Sequence, residues 1–154
     1  MIDIKEIVSN VLKGTIPHLK TGEIYQMLEF PPDGNMGDVA LPCFKLSRIF
    51  KKSPIQIAEE LVSAIPRTPK IERVESLSGY LNFFLNREEF IKDVVSLILD
   101  KGEGYGSQNI GKGKNIVLDY SAPNIAKPFH IGHLRSTAIG NSLYRIFEFL
   151  GYNS

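Results

Sequence analysis

Two histidines, three residues apart, stand in the most distinctive segment of the chain. His130 and His133 enclose Ile131-Gly132, and Lys127 lies on the loop before them. Imidazole N–H groups can donate hydrogen bonds to phosphate oxygens, and so stabilise charge that builds up on phosphorus without proton transfer. Gly132 carries no side chain and would let a flat base or a ribose approach the backbone. The pattern predicts a phosphate-binding turn, with the two histidines as its catalytic groups.

A strand before this turn and a helix after it would position the histidines. Residues 115–120 are apolar and β-branched, which favours a strand covered on both faces. Apolar residues with helical spacing follow, up to a stop at Gly151; they are Ile131, Leu134, Ala138, Ile139, Leu143, Ile146, Phe147 and Leu150. The histidines would then lie at a helix N-terminus, where free backbone N–H groups and the helix dipole attract anions.

Two other interpretations of the histidine pair are weaker. A zinc site needs further ligands, but Cys43 is the only cysteine and no acidic residue with ligand spacing lies nearby. A simple helix cap would not require the intervening glycine, nor the prolines and the lysine of the loop. Phosphate binding is therefore favoured, and no structural metal is expected.

The composition is that of a soluble, folded protein. A length of 154 residues suits one domain or two small ones, and 43% hydrophobic residues support a packed core. A net charge of +1 provides no global field for nucleic acid, so any RNA contact would be local. A single cysteine suits the cytosol, and neither a membrane span nor a signal-peptide pattern is visible. We expect a cytoplasmic protein without membrane contact.

Residues 1–101 predict a compact α+β domain in which helices pack on a small antiparallel sheet. The predicted elements are a first helix ended near Gly14 and Pro17, strands at 24–29 and 39–41, a short helix at 44–50, a helix capped by Ser53, a hairpin of 71–77 and 80–86 turning at Ser78-Gly79, and a helix capped by Asn86 with core positions Phe90, Ile91, Val94, Val95 and Ile98.

The second part of the chain begins after a glycine-rich stretch. Residues 102–114 lack Walker or dinucleotide spacing and precede a strand, so we interpret them as an interdomain linker and not as a phosphate cradle. Residues 115–154 then supply one strand and one helix, the opening of a doubly wound sheet. Such a unit cannot close a core alone, so we expect the chain to be part of a longer protein.

The segment His130-Ile-Gly-His133 in this setting resembles the H-I-G-H motif of class I aminoacyl-tRNA synthetases. The wider string 120–141 looks like arginyl-tRNA synthetase in particular, and 37–44 and 79–85 resemble the additional N-terminal domain of that enzyme. The resemblance covers nearly the whole chain in three blocks. It implies an α+β N-terminal domain followed by the first β-α unit of a Rossmann-like class I catalytic domain.

The resemblance also implies a reaction. Arginine and ATP would form arginyl-adenylate, with Mg²⁺ accompanying the ATP, and the arginyl group would then pass to arginine tRNA. ATP-binding positions would be Lys127, His130, Gly132 and His133; arginine-binding positions would be Asp119, Ala122, Pro123, Asn124 and His133. Ala122 departs from the serine that many relatives carry.

The N-terminal domain would contact the elbow of the tRNA and read a D-loop nucleotide. Asn82 could pair with a base edge while Tyr80 or Phe84 stacks on the base. In the alternative, Leu81, Phe83 and Leu85 form the core face, and the alternating residues Tyr80, Asn82 and Phe84 are packed on the other side. Both interpretations stay open at this point.

Three functions follow from these patterns. In the leading one, the chain is a part of arginine-tRNA ligase and is inactive by itself. The parent enzyme would be a monomer. The first alternative is a stand-alone tRNA-binding or regulatory module derived from the synthetase. Another class I family, such as the cysteinyl enzyme or a nucleotidylyltransferase, would share only the H-x-G-H turn and would not explain Gly37-Asp38 or the Asn82 strand.

Overall fold

The computed structural model describes residues 2–16 and 18–154 and divides the chain into two compact units, Met1–Leu97 and Ile98–Ser154. Pro17, one of the two predicted ends of the first helix, lies outside the described residues. The helices are α1 (Ile4–Lys13), α2 (Thr21–Met27), α3 (Ser47–Phe50), α4 (Pro54–Ala64), α5 (Arg87–Lys101) and α6 (Ile131–Phe149); the strands are β1 (Val39–Pro42), β2 (Ile71–Leu77) and β3 (Tyr80–Leu85). Short 3₁₀ turns occupy Gly34–Met36, Cys43–Leu46 and Gly102–Gly104.

The first unit is built on a three-stranded antiparallel sheet in the order β1-β3-β2. One face of the sheet and the helices around it enclose the core, which consists of Val8, Leu12, Ile16, Ile24, Leu28, Val39, Leu41, Cys43, Leu46, Ile57, Ala58, Leu61, Leu81 and Phe83. Apolar burial of this extent is the main force that holds such a domain together. The α+β class predicted for this part of the chain is confirmed.

Several local predictions for the first unit are confirmed because short-range chemistry determines them. Ser53 accepts a hydrogen bond from the Gln56 backbone N–H at 3.3 Å, and the Gln56 side chain accepts one from the Ser53 N–H, so α4 begins with a capping box. The β2–β3 hairpin turns through Ser78 and Gly79, whose φ values are 49° and 82°.

The strand predicted at 24–29 is wrong, because these residues belong mostly to α2. The Glu23 carboxylate accepts a hydrogen bond from the Lys20 backbone N–H at 2.8 Å and closes the first helical turn. Ile24 and Leu28 lie four residues apart and are both buried, which is helical spacing. Only Glu29 makes a β-bridge, to Ala40.

The predicted core positions of α5 are only partly right. Phe90 and Asp93 line a small cleft with Ile7 and Leu85, so this face of the helix is turned toward the first unit's sheet. Ile91 lies on the neighbouring face and is 59% exposed, and Val95 and Ile98 are exposed as well. Their apolar character therefore did not predict burial.

In the second unit, the strand predicted at 115–120 forms only one isolated parallel bridge, between Asn115 and Asn153. A strand needs a partner along its length, and the described residues provide a single bridge here. Tyr120 instead packs closely against Gly140, the one fully buried residue of α6. Residues 108–114 hydrogen-bond to the end of α6, for example from the Gly111 N–H to the Leu150 carbonyl at 2.9 Å.

None of the helices in the described residues combines the length and the apolar character that a membrane crossing requires.

Candidate functional site

An apolar pocket of about 370 Å³ opens beside the central strand of the sheet, and we call it the β3 pocket. Its walls are formed by Glu29, Phe30, Pro31, Pro32, Met36, Ala40, Leu77, Ser78, Tyr80 and Asn82. Asn82 is the one side-chain amide among these residues, and its side chain is largely buried. A pocket with apolar walls and one amide is suited to a flat heterocycle, because the walls cover its faces and the amide pairs with its edge.

The sheet register brings two of the three predicted tRNA-contacting residues together. Asn82 is paired with Ala40 on one side and with Glu75 on the other, so it lies in the middle of the sheet. Tyr80, two residues away on the same face, is 39% exposed and packs edge-on against Phe44 with the ring centroids 5.3 Å apart. Leu81, Phe83 and Leu85 point to the other side and are buried, as the alternating pattern predicted.

The third predicted residue, Phe84, lies on the same face but is not part of the pocket wall. It is 8% exposed, and the guanidinium of Arg73 lies 3.6 Å from the centre of its ring. This cation–π contact occupies a face of the ring that a base would need for stacking.

The sequence did not reveal the opposite wall of the β3 pocket. Phe30, Pro31, Pro32 and Met36 belong to none of the motifs that predicted a site. Their signal is an aromatic residue directly before two prolines, a stiff segment that keeps apolar groups exposed. Only the tertiary fold places this segment beside Tyr80 and Asn82.

Gly37 and Asp38 pack against and bond to the C-terminal end of β3. Gly37 has φ 101°, and a Cβ atom there would lie 2.9 Å from the Phe83 carbonyl oxygen, so only glycine fits. The Asp38 carboxylate accepts hydrogen bonds from the Leu85 backbone N–H at 2.8 Å and from the Arg87 guanidinium at 2.7 Å. These two residues thus have a structural role in the segment that resembles the synthetase domain.

The second candidate site is the start of α6, where the two histidines cap the helix. Nδ1 of His130 accepts a hydrogen bond from the Gly132 N–H at 3.1 Å, and Nδ1 of His133 accepts one from the His130 N–H at 3.2 Å. The two rings are stacked with centroids 3.9 Å apart. Because a backbone N–H can only donate, both Nδ1 atoms act as acceptors here, and the ring hydrogen is assigned to Nε2. The site therefore presents two Nε2–H donors, on stacked rings whose planes are inclined by 29°.

Free backbone N–H donors were expected at this helix end, but hydrogen bonds to His130 occupy two of them. The Gly132 N–H is bonded to the His130 ring, and the His133 N–H donates to the His130 carbonyl at 2.9 Å. Gly132 also has a second reason to lack a side chain, since a Cβ atom would lie 2.9 Å from Cε1 of His130. The imidazoles, more than the backbone, would therefore meet a phosphate.

The loop before α6 carries the remaining predicted residues in exposed positions. The Asn124 side-chain oxygen accepts a hydrogen bond from the Ala126 N–H at 2.9 Å, and the Asn124 carbonyl accepts one from the Lys127 N–H at 3.1 Å, which together form a turn. Asp119, Ala122 and Pro123 precede this turn and are exposed, as is Lys127 itself. The Asn124 and Lys127 side chains are therefore exposed on this turn.

Comparison with known proteins assigns each part of the chain to a described domain. Residues 3–85 match the model of the arginyl tRNA synthetase N-terminal domain, and residues 93–154 match that of the class I (R) tRNA synthetase catalytic domain. The chain is 56% identical over 153 residues to an arginine–tRNA ligase of Alkaliphilus metalliredigens, and 50% identical over 154 residues to that of Halothermothrix orenii. These alignments cover 99% and 100% of the chain but 27% of each relative, so the chain spans about a quarter of their length.

Solved structures show the same fold. The arginyl-tRNA synthetase of Thermus thermophilus matches with a TM-score of 0.52 at 22% identity, covering 98% of this chain and 24% of that one. The Plasmodium falciparum enzyme matches with a TM-score of 0.52 at 26% identity, covering 97% and 28%.

Proposed function

Because the chain belongs to the arginyl-tRNA synthetase family, we propose that it takes part in the ATP-dependent attachment of arginine to arginine tRNA in the cytoplasm. The reaction has two steps. A carboxylate oxygen of arginine attacks the α-phosphorus of ATP and pyrophosphate leaves; a ribose hydroxyl of the tRNA then takes the arginyl group and AMP leaves. The two candidate sites divide these tasks between nucleotide and tRNA.

The two stacked histidine rings at the start of α6, each with Nδ1 accepting a backbone N–H, are the observation that carries the proposal. Neutral imidazoles with fixed Nδ1 acceptors can donate to phosphate oxygens at once, without a tautomer change or a proton transfer. His130 and His133 would stabilise the charge on the α-phosphate, and Lys127 would add a cation for the phosphate chain. Gly132 keeps the space over the first imidazole free. Mg²⁺ would arrive with ATP, held largely by phosphate oxygens and water.

The arginine end of the reaction would use the exposed turn before α6. Asn124, whose oxygen is occupied within the turn, would donate from its NH₂ group to the arginine carboxylate. Asp119 is an exposed acid suited to the ammonium or the guanidinium group. Ala122 and Pro123 would contact arginine through the main chain and ring surface, and His133 would lie near the reacting carboxylate.

The β3 pocket would bind one unstacked base of the tRNA elbow, with Asn82 on the base edge and Tyr80 on a face. A base–aromatic stack contributes about 1–3 kcal/mol, so Tyr80→Ala should weaken tRNA binding about 5- to 150-fold. Phe84 would act through Arg73, which covers its ring, and not by direct stacking.

The ATP assignment can be tested on the chain itself by NMR of ¹⁵N-labelled histidine. The free chain should show His130 and His133 as Nε2–H tautomers, and Mg-ATP should shift both Nε2 resonances. His18, the third histidine, is an internal control that should not move. Equal shifts at all three histidines, or none at millimolar ATP, would contradict the assignment.

The 154-residue chain should not attach arginine to tRNA by itself. Residues 121–130, which carry most of the proposed arginine- and ATP-binding positions, are exposed in it and do not form an enclosed site. The chain would then act as a tRNA-binding module, with a monomeric longer ligase as the active form. Measurable arginylation of arginine tRNA by the purified 154-residue chain would refute this expectation.

A further inference from the structure

A lysine of the first helix contacts Phe30, one of the residues that form the wall of the β3 pocket. The Lys5 ammonium lies 4.7 Å from the ring centre of Phe30, which forms part of the pocket wall, and 5.9 Å from that of Tyr25. Both distances are within the range of a cation–π contact. These contacts place the positive charge beside a ring of the pocket wall.

The backbone around Lys5 is fixed by Asp3. One carboxylate oxygen of Asp3 accepts a hydrogen bond from the Lys5 backbone N–H at 2.9 Å and so caps α1. The other accepts one from the Tyr25 hydroxyl at 2.6 Å, a bond that raises the pKa of the tyrosine. The start of α1 is thus tied to α2, and the lysine stem is directed across the aromatic rings.

Two other cations of the first unit are paired with carboxylates. Lys45 pairs with Glu29 at 2.6 Å, and Arg73 pairs with Glu75 at 2.8 Å while it covers Phe84. For Lys5, no carboxylate of the described residues lies within the 4.0 Å limit of an ion pair. Its charge is available for a ligand.

From this arrangement we propose that Lys5 binds a backbone phosphate of the nucleotide whose base enters the β3 pocket. The inference rests on the proposed tRNA-binding function. A base that enters an apolar pocket leaves its ribose and phosphate at the rim, where an unpaired ammonium stabilises the phosphate charge. Asn82 and Tyr80 would then select the base, while Lys5 fixes the position of the strand.

Salt dependence separates a phosphate contact from a packing role. Binding of fluorescent arginine tRNA to the whole chain would be measured by anisotropy over a series of salt concentrations. Each phosphate contact contributes roughly 0.7–0.9 to the slope of log K against log salt. Lys5→Gln should reduce the slope by about that amount, whereas Lys5→Arg should keep the wild-type slope. Lys13→Gln, an exposed lysine in the last turn of the same helix, should also leave it unchanged.

Asn82→Ala is the matched variant that tests the base contact in the pocket. It should weaken binding with no change in slope, because it removes a base contact and no charge. If Lys5→Gln weakens binding equally at all salt concentrations, Lys5 only supports Phe30 and the phosphate contact is refuted. If Asn82→Ala and Tyr80→Ala bind tRNA like the wild type, the pocket itself is not the tRNA site. If Lys5→Gln still reduced the salt slope in that case, Lys5 would contact a phosphate at another site, and this proposal would be wrong as well.

Discussion

Substituting Gly140 by alanine sets two physical effects against each other in the second unit. In a helix interior, alanine is favoured over glycine by about 0.5–1 kcal/mol. A Cβ atom at this position, however, would lie 2.3 Å from both Cβ and Cγ of Tyr120, where ordinary contact needs at least 3.4 Å. The helix and the tyrosine would have to separate by about 1 Å, and such overpacking typically costs about 1–3 kcal/mol. We expect the steric effect to win.

Hydrogen exchange measured by mass spectrometry can resolve this effect within one unit. A net loss of about 1–2 kcal/mol corresponds to a roughly 5- to 30-fold larger open fraction, so amides of α6 should exchange faster by that factor. Peptides from α1 belong to the other unit and should keep their wild-type rates. Since Tyr120 begins the segment that leads to His130, the change should also broaden the histidine resonances.

Gly22→Ala is the matched control, because Gly22 lies in a helix and a Cβ atom there would meet nothing within 4 Å. Only the helix-propensity effect applies, and exchange in α2 should slow down or stay constant. If Gly140→Ala likewise slows exchange in α6, the close packing of Tyr120 on this glycine does not exist in solution, and the reasoning fails.

Two further predictions concern the first unit. Burial raises the pKa of the Cys43 thiol to about 11, so alkylation by iodoacetamide at pH 8 should require unfolding; fast labelling of the native chain would contradict this. Because the fold favours the protonated thiol, this contribution to stability is complete below about pH 9 and is lost as the pH rises toward 11, and Cys43→Ala should flatten that decline. Asp38→Asn should lower the free energy of unfolding in urea by about 1–2 kcal/mol, since it removes the charge that accepts two hydrogen bonds. Arg87→Ala, at the exposed end of the same ion pair, should cost less than about 1 kcal/mol, and equal losses would show that the buried Leu85 bond is not important.

Local rules predicted those elements whose cause lies within a few residues. The Ser53 cap and the Ser78-Gly79 turn depend on side chains and φ angles of adjacent residues, and both are found where the sequence indicated. The segment around Ile24 was mistaken for a strand because a short apolar run fits either structure, and the deciding bond, from Lys20 to Glu23, is a matter of side-chain geometry.

The candidate sites were predicted only as far as they are continuous in sequence. His130, Gly132 and His133 follow one another, and their relative arrangement is set by one helical turn. The β3 pocket is instead assembled from separate segments: Asn82 and Tyr80 come from β3, and Phe30 from a distant loop. No periodicity connects them, so one wall of the pocket was found and the other was missed.

The capping role of the histidines explains why this site differs from a glycine-rich phosphate loop. In such a loop the backbone N–H groups meet the phosphate directly. Here the Gly132 and His133 N–H groups are already bonded to His130, so the Nε2–H groups of the two rings remain as donors together with the Ile131 N–H. Side chains can be moved by a fraction of an ångström when a bound phosphate changes shape, whereas a backbone nest is fixed by the helix. Under the proposed function, donors that the helix orients but does not immobilise would be able to follow the α-phosphorus of ATP through the displacement.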